Sequence, residues 1–142
     1  MNTLHPLATH LPIAVALLWP LVDLVGLWLG RPDVSRTAVG LLGVGILSAL
    51  IATVTGQAAY DAAIAAGRSP ELLDTHGDPA GLVPWALLGL AALRTAGVQK
   101  LGRAAHVAAL VLGLAAAVWV GFIGHTGGRL VYEHGVGVES AP

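Results

Sequence analysis

Cysteine is absent from the chain. That excludes disulfides, thiolate zinc sites, cysteine-held iron–sulfur clusters and covalently attached c-type haem. Charge is scarce as well. Asp, Glu, Lys and Arg make up 11% of the 142 residues, against about 25% in an average soluble domain. Net charge is −1, so no imbalance points to nucleic acid or another polyanion. What fills the chain instead is apolar: 56% hydrophobic residues and a mean hydropathy of +0.78. So few charges cannot cover the surface of a water-soluble globule of this size. A disordered chain, a nucleic-acid binder and an ordinary soluble enzyme are excluded. The length allows one compact unit. Against this background six histidines stand out.

Four apolar runs are evident: Leu11 to Leu29, Val39 to Thr55, Leu82 to Leu93 and Ala104 to Ile123. At about 1.5 Å rise per residue, roughly twenty helical residues cross the ~30 Å hydrocarbon core of a bilayer. The third run is short. Snorkelling of Arg94 and the flanking Pro79, Pro84 and Lys100 extend it to about 80–98. Strict alternation is missing, so helices rather than a lipid-facing barrel satisfy the backbone in lipid. The first run lacks a basic leader, because the first Arg is Arg31 behind it, and is read as a retained span.

The expected fold is therefore all-α: an integral membrane four-helix bundle running up-down-up-down. Its spans are about 11–29, 39–57, 80–98 and 104–124, with a long outer loop over 58–79 and an outer tail over 125–142. Pro32 is read as the breaker between the first two spans. Within the long loop, Ser69-Pro70-Glu71 reads as a helix start. No internal repeat, low-complexity tract or second domain is evident. Arg31, Arg36, Arg94, Lys100 and Arg103 fall on one side, and only Arg68 and Arg129 on the other. That bias places the first group in the cytoplasm and both termini on the outer, periplasmic side of a bacterial inner membrane.

This topology gathers His5, His10, His76, His125 and His134 on the outer side, from separated pieces of chain. Histidine is the commonest metal-ligating side chain. Thr9-His10-Leu11-Pro12 reads as a helix start, where the helix dipole disfavours imidazolium and keeps a ligand-competent neutral ring. His76 precedes the third span, which lies diagonal to the first. His10 and His76 are thus expected to face each other as axial ligands of one haem iron. His5, His125 and His134 serve as alternates or neighbours, with Tyr60 and Asp61 as supporting polar groups. Taken singly, each of His5, His125 and His134 also fits an ordinary interfacial or capping role. Ala58, Ala59, Ala80 and Gly81 would give a ring room.

On the inner side His106 is read as a hydrogen-bond partner between helices. Asp23, an acid inside the first span, is expected to pair with Arg94, Arg36 or His106 rather than relay protons. Trp28 and Trp85 suit the interfacial belts. Gly26, Gly40, Gly43 and Gly45 permit close helix contact, within the chain or in a homodimer.

The tail reads Gly127-Gly128-Arg129-Leu130-Val131-Tyr132-Glu133-His134-Gly135-Val136-Gly137-Val138, and the head His5-Pro6-x-x-x-His10-x-Pro12-Ile13-Ala14. Together with Thr55-Gly56 and His76, these resemble a bacterial family of four-helix membrane proteins known as domain of unknown function 2231. The resemblance covers the whole chain. Leu11 stands where that family usually has Phe, and His106 and His125 fall outside its pattern. Similar domains occur fused to Rieske-type or cytochrome c modules, which implies electron transfer by analogy. Gly127-Gly128 is expected to end the fourth helix. Gly135 and Gly137 would let the tail fold back and bring His134 over the outer site.

The leading expectation is a small b-type cytochrome with non-covalent haem, an electron-transfer or accessory protein rather than an enzyme. Quinone or a periplasmic redox protein would be its partner, alongside the lipid bilayer. The alternatives are a copper or zinc site built from three or four histidines, and a cofactor-free structural or assembly subunit of a larger membrane complex.

Overall fold

In the computed structural model, residues 4–96 and 102–138 are described. Among them every regular element is helical: α1 (Leu4–Trp28), α2 (Pro32–Ala65), α3 (Pro70–Gly81), α4 (Val83–Ala96) and α5 (Gly102–Tyr132). Four stretches are long and apolar enough to cross a membrane: α1, α2, α3 with α4 taken together, and α5. Their outward surface is apolar, with Leu47, Val54, Val118 and Phe122 all exposed. Such a surface suits lipid and not water.

Helix ends follow local chemistry. Ser69 caps α3, accepting from the Leu72 N–H at 3.3 Å, and Pro70 occupies the first turn, where a missing N–H costs nothing. Pro32 likewise opens α2 rather than interrupting the chain, so the link from α1 is only Leu29 to Arg31. Gly67, at φ +81°, ends α2, with the Arg68 N–H returning to the Ala63 carbonyl at 3.0 Å. The break between α3 and α4 falls at Leu82, two residues before Pro84, whose ring nitrogen cannot donate back to Ala80.

Three sequence expectations change here. Much of the 58–79 segment is helical: α2 runs on to Ala65 and α3 begins at Pro70. Hydropathy marks the stretch that lipid surrounds, not the point where hydrogen bonding stops. Likewise α5 passes through Gly127 and Gly128 and ends at Tyr132. The stop is Gly135, at φ +61°, with the Val136 N–H bonded to the Leu130 carbonyl at 2.8 Å. Arg94 does not snorkel: it is turned inward and buried. Lys100 lies outside the described residues.

α1 packs on α2 and α5, and α4 packs on the same two helices. The main core joins Ala16 and Trp19 of α1, Leu42 and Ala49 of α2, Val83, Leu87 and Leu90 of α4, and Val120 and Ile123 of α5. The Trp19 ring lies so close on Gly113 that a Cβ there would overlap it. A smaller cluster, Ala63, Leu73 and Leu130 with Tyr60, Leu72 and Val136 against it, ties α2, α3 and the end of α5 together.

Candidate functional site

Polar side chains inside a lipid-embedded protein are costly unless paired, so their pairing locates function. Among the described residues two such places stand out, at opposite ends of α1. His5 and Asp23 are 18 residues apart, about 27 Å along a helix.

At the first, the imidazoles of His5 and His76 meet edge to face, with ring centroids 6.3 Å apart and planes at 68°. His5 is inside the first turns of α1, because the helix begins at Leu4 and not at Thr9. Its Nδ1 lies 3.1 Å from the Ala52 carbonyl and 3.3 Å from Thr55 Oγ1, both on α2. His76, near the end of α3, makes the matching pair of contacts with α5: 3.1 Å to the Ile123 carbonyl and 3.3 Å to Thr126 Oγ1.

These partners fix the tautomer. A carbonyl only accepts, so Nδ1 carries the proton and donates it. The threonine hydroxyls agree: Thr55 donates to Ile51 and Ala52 carbonyls at 3.0 and 3.1 Å, and Thr126 to the Ile123 carbonyl at 2.9 Å. Each hydroxyl proton is spent on backbone, so its oxygen lone pair faces the ring. Each neutral imidazole then keeps a lone pair on Nε2 that has no hydrogen-bond partner among the described residues. That is the state in which histidine ligates a metal, with Nδ1–H anchored to the protein.

Two glycines make room. A Cβ at Gly56 would stand 3.0 Å from His5 Cε1, and one at Gly127 would stand 2.9 Å from His76 Cε1. Gly127 therefore serves close approach rather than helix termination. Neither the glycines nor the threonines were singled out as site members by composition or periodicity. Their signal is the repeated Thr-Gly dipeptide, Thr55-Gly56 and Thr126-Gly127.

The structure brings together only two of the five histidines expected to gather on one side, His5 and His76. His10 is exposed, and its Nδ1 is bonded to the Pro6 carbonyl one turn earlier, at 2.7 Å. His125 and His134 are exposed too. The tail does fold back, but onto the α2–α3 turn: Arg68 donates to the Gly135 carbonyl at 3.1 Å, and Val136 joins the small cluster. Tyr60 donates to Asp74 Oδ1 at 3.0 Å and Asp61 accepts from Gln57 at 2.9 Å, so both are engaged away from the rings. Among the described residues, no group of three or more His, Asp or Glu side chains could hold a metal ion. The copper or zinc site of three or four histidines is not assembled there.

At the other end Asp23 is completely buried. Arg94 grips both its oxygens, Nε to Oδ2 at 2.8 Å and Nη2 to Oδ1 at 3.0 Å. His106 Nε2 lies 2.8 Å from Oδ2. The acid is thus paired by two of the three partners expected for it, and His106 does bridge helices.

The sequence model of a family described as "Predicted membrane protein (DUF2231)" matches residues 1–140. The chain belongs to this family. No curated protein and no solved structure matches it. This DUF2231 protein is accordingly a multi-pass membrane protein, and the lipid bilayer is its surrounding solvent.

Proposed function

We propose that this DUF2231 protein is a small membrane cytochrome of b type, in which His5 and His76 would hold one haem iron. One observation carries the reading. Two imidazoles from separate helix pairs converge, each anchored through Nδ1 and each left with a free Nε2 lone pair. Gly56 and Gly127 let the two rings lie close against α2 and α5. His5 takes the place that the sequence pattern suggests for His10, because α1 starts early enough to carry His5 onto α2.

Bound haem would supply a one-electron couple. The residues present do the rest. His5 and His76 would hold the iron through two imidazoles, which favours electron transfer over chemistry at an open site. Thr55, Thr126 and the two carbonyls orient the rings. We read the spans as an up-down-up-down bundle with both termini periplasmic, from the positive charges beside the α1–α2 link. Electrons would then pass between the membrane quinone pool and an outer redox protein.

The test is an optical spectrum of the detergent-purified protein, oxidised and then dithionite-reduced. The expected result is a sharp reduced α band, lost in His5→Ala and His76→Ala and kept in His10→Ala. A colourless protein after expression with haem supplied would overturn the reading in favour of a cofactor-free subunit of a larger complex.

A further inference from the structure

The two histidine contacts are the same contact made twice. His5 reaches a carbonyl 47 residues on and a threonine 50 residues on; so does His76, at identical distances of 3.1 and 3.3 Å. Adding 71 to His5, Ala52, Thr55 and Gly56 gives His76, Ile123, Thr126 and Gly127. The same shift carries α1 onto α3 with α4, and α2 onto α5. Packing follows it as well, since α1 on α5 corresponds to α4 on α2.

The far end obeys the same shift. Asp23 and Arg94 are 71 residues apart and bond to each other. Ser35 shifted by 71 is His106, and both side chains lie beside Asp23. A residue meets its own equivalent only on the two-fold axis relating the halves. His5 with His76 and Asp23 with Arg94 are two such meetings, about 27 Å apart along α1. They mark one pseudo-two-fold axis running lengthwise through the protein. No repeat is evident in the sequence itself. Most equivalent positions hold different apolar residues, such as Trp19 and Leu90 or Leu42 and Gly113, so self-similarity is hidden. Yet the His, the Thr and the Gly of the paired site remain identical in both halves.

We propose that the chain is an internal duplication of one two-helix unit, and that Thr55 and Thr126 are its equivalent positioning residues, holding His5 and His76 as two halves of a single on-axis site. On the haem reading, such a site would take one haem per chain through both rings at once. The ligand's identity rests on the haem reading; the duplication and the positioning role do not.

The test begins with the full chain in detergent without haem, labelled with ¹⁵N-histidine. Both rings should be neutral with the proton on Nδ1. Thr55→Val, which keeps shape but cannot accept a hydrogen bond, should shift the ring nitrogens of His5 and leave His76 unchanged. Thr126→Val should do the reverse, and Thr→Ser at either site should restore the native signals. A native Nε2–H tautomer at either ring, or a Val variant that leaves its own histidine unshifted, overturns the positioning role.

The axis is tested by exchange. Asp23→Arg and Arg94→Asp should each weaken folding, and the double variant should recover it. A double variant no better than the singles overturns the axis. If haem binds, both Val variants should raise the midpoint potential to a similar extent, because each weakens the hydrogen bond that makes its ligand more basic. Unequal or opposite shifts would deny equivalence. A colourless protein with both rings in the Nδ1–H form would sink the cytochrome and leave this proposal standing.

Discussion

Arg94 meets Asp23 side-on through two nitrogens, and both side chains are buried. Removing one partner of such a pair strands a charge in a low-dielectric interior, at a cost of about 3–5 kcal/mol. Asp23→Ala and Arg94→Ala should each lower stability by that amount, read from denaturant or thermal unfolding of the detergent-solubilised chain. Replacing both with apolar residues of similar volume should cost less than either single change. A single variant as stable as the parent would mean that the charge finds water or lipid headgroups instead.

His106 adds one bond to the same carboxylate, at 2.8 Å, from a ring that is 15% exposed. A hydrogen bond to a charged group contributes about 1.5–3 kcal/mol. His106→Ala should therefore destabilise less than Asp23→Ala. An effect equal to that of Asp23→Ala would show that the imidazole, not the guanidinium, holds the acid.

Gly56→Ala and Gly127→Ala should each push an imidazole off its carbonyl and threonine. Overpacking of this kind costs about 1–3 kcal/mol, and histidine ring NMR should show the displaced ring directly. Gly121 faces open space, so Gly121→Ala is the control. It should be neutral or stabilise by up to about 1 kcal/mol, because alanine is the better helix former. Equal behaviour at all three positions would deny the close approach.

Gly113→Ala places a methyl group against the Trp19 ring at the centre of the core. It should destabilise by about 1–3 kcal/mol and alter tryptophan fluorescence. Trp19→Phe should be milder than Trp19→Ala, since the indole Nε1 has no hydrogen-bond partner among the described residues and loses none on replacement. By contrast, Arg129→Ala breaks an ion pair whose side chains are both about half exposed, which typically contributes less than about 0.5 kcal/mol.

The helices were legible because lipid imposes a simple demand: long apolar stretches whose backbone bonds close internally. The partners of Asp23 were legible for a related reason, since a buried acid has few candidates. The Ser69 cap and the turn at Gly135 follow from residues whose local chemistry dominates. The choice between His5 and His10 was not legible. They are five residues apart, about 140° around a helix, so which one faces inward depends on where α1 starts. Thr9 offered a plausible cap, but the helix opens one and a half turns earlier. The inward turn of Arg94 was hidden for a different reason. An arginine near a span end can reach water or an acid, and only the packed position of Asp23 decides between them.

At 34 residues, α2 is about 51 Å long, well beyond the ~30 Å of bilayer hydrocarbon. With the second span ending near Gln57, as the sequence suggests, the last turns of α2 would carry the small cluster of Ala63, Leu73 and Leu130 into water. That knob is held by expulsion of water from apolar surface, whereas the helices below it are surrounded by tails as oily as themselves and depend on close fit and internal bonds. One chain is thus folded by two solvents. Urea, which acts through water, should loosen the knob and its tail long before it touches the embedded helices.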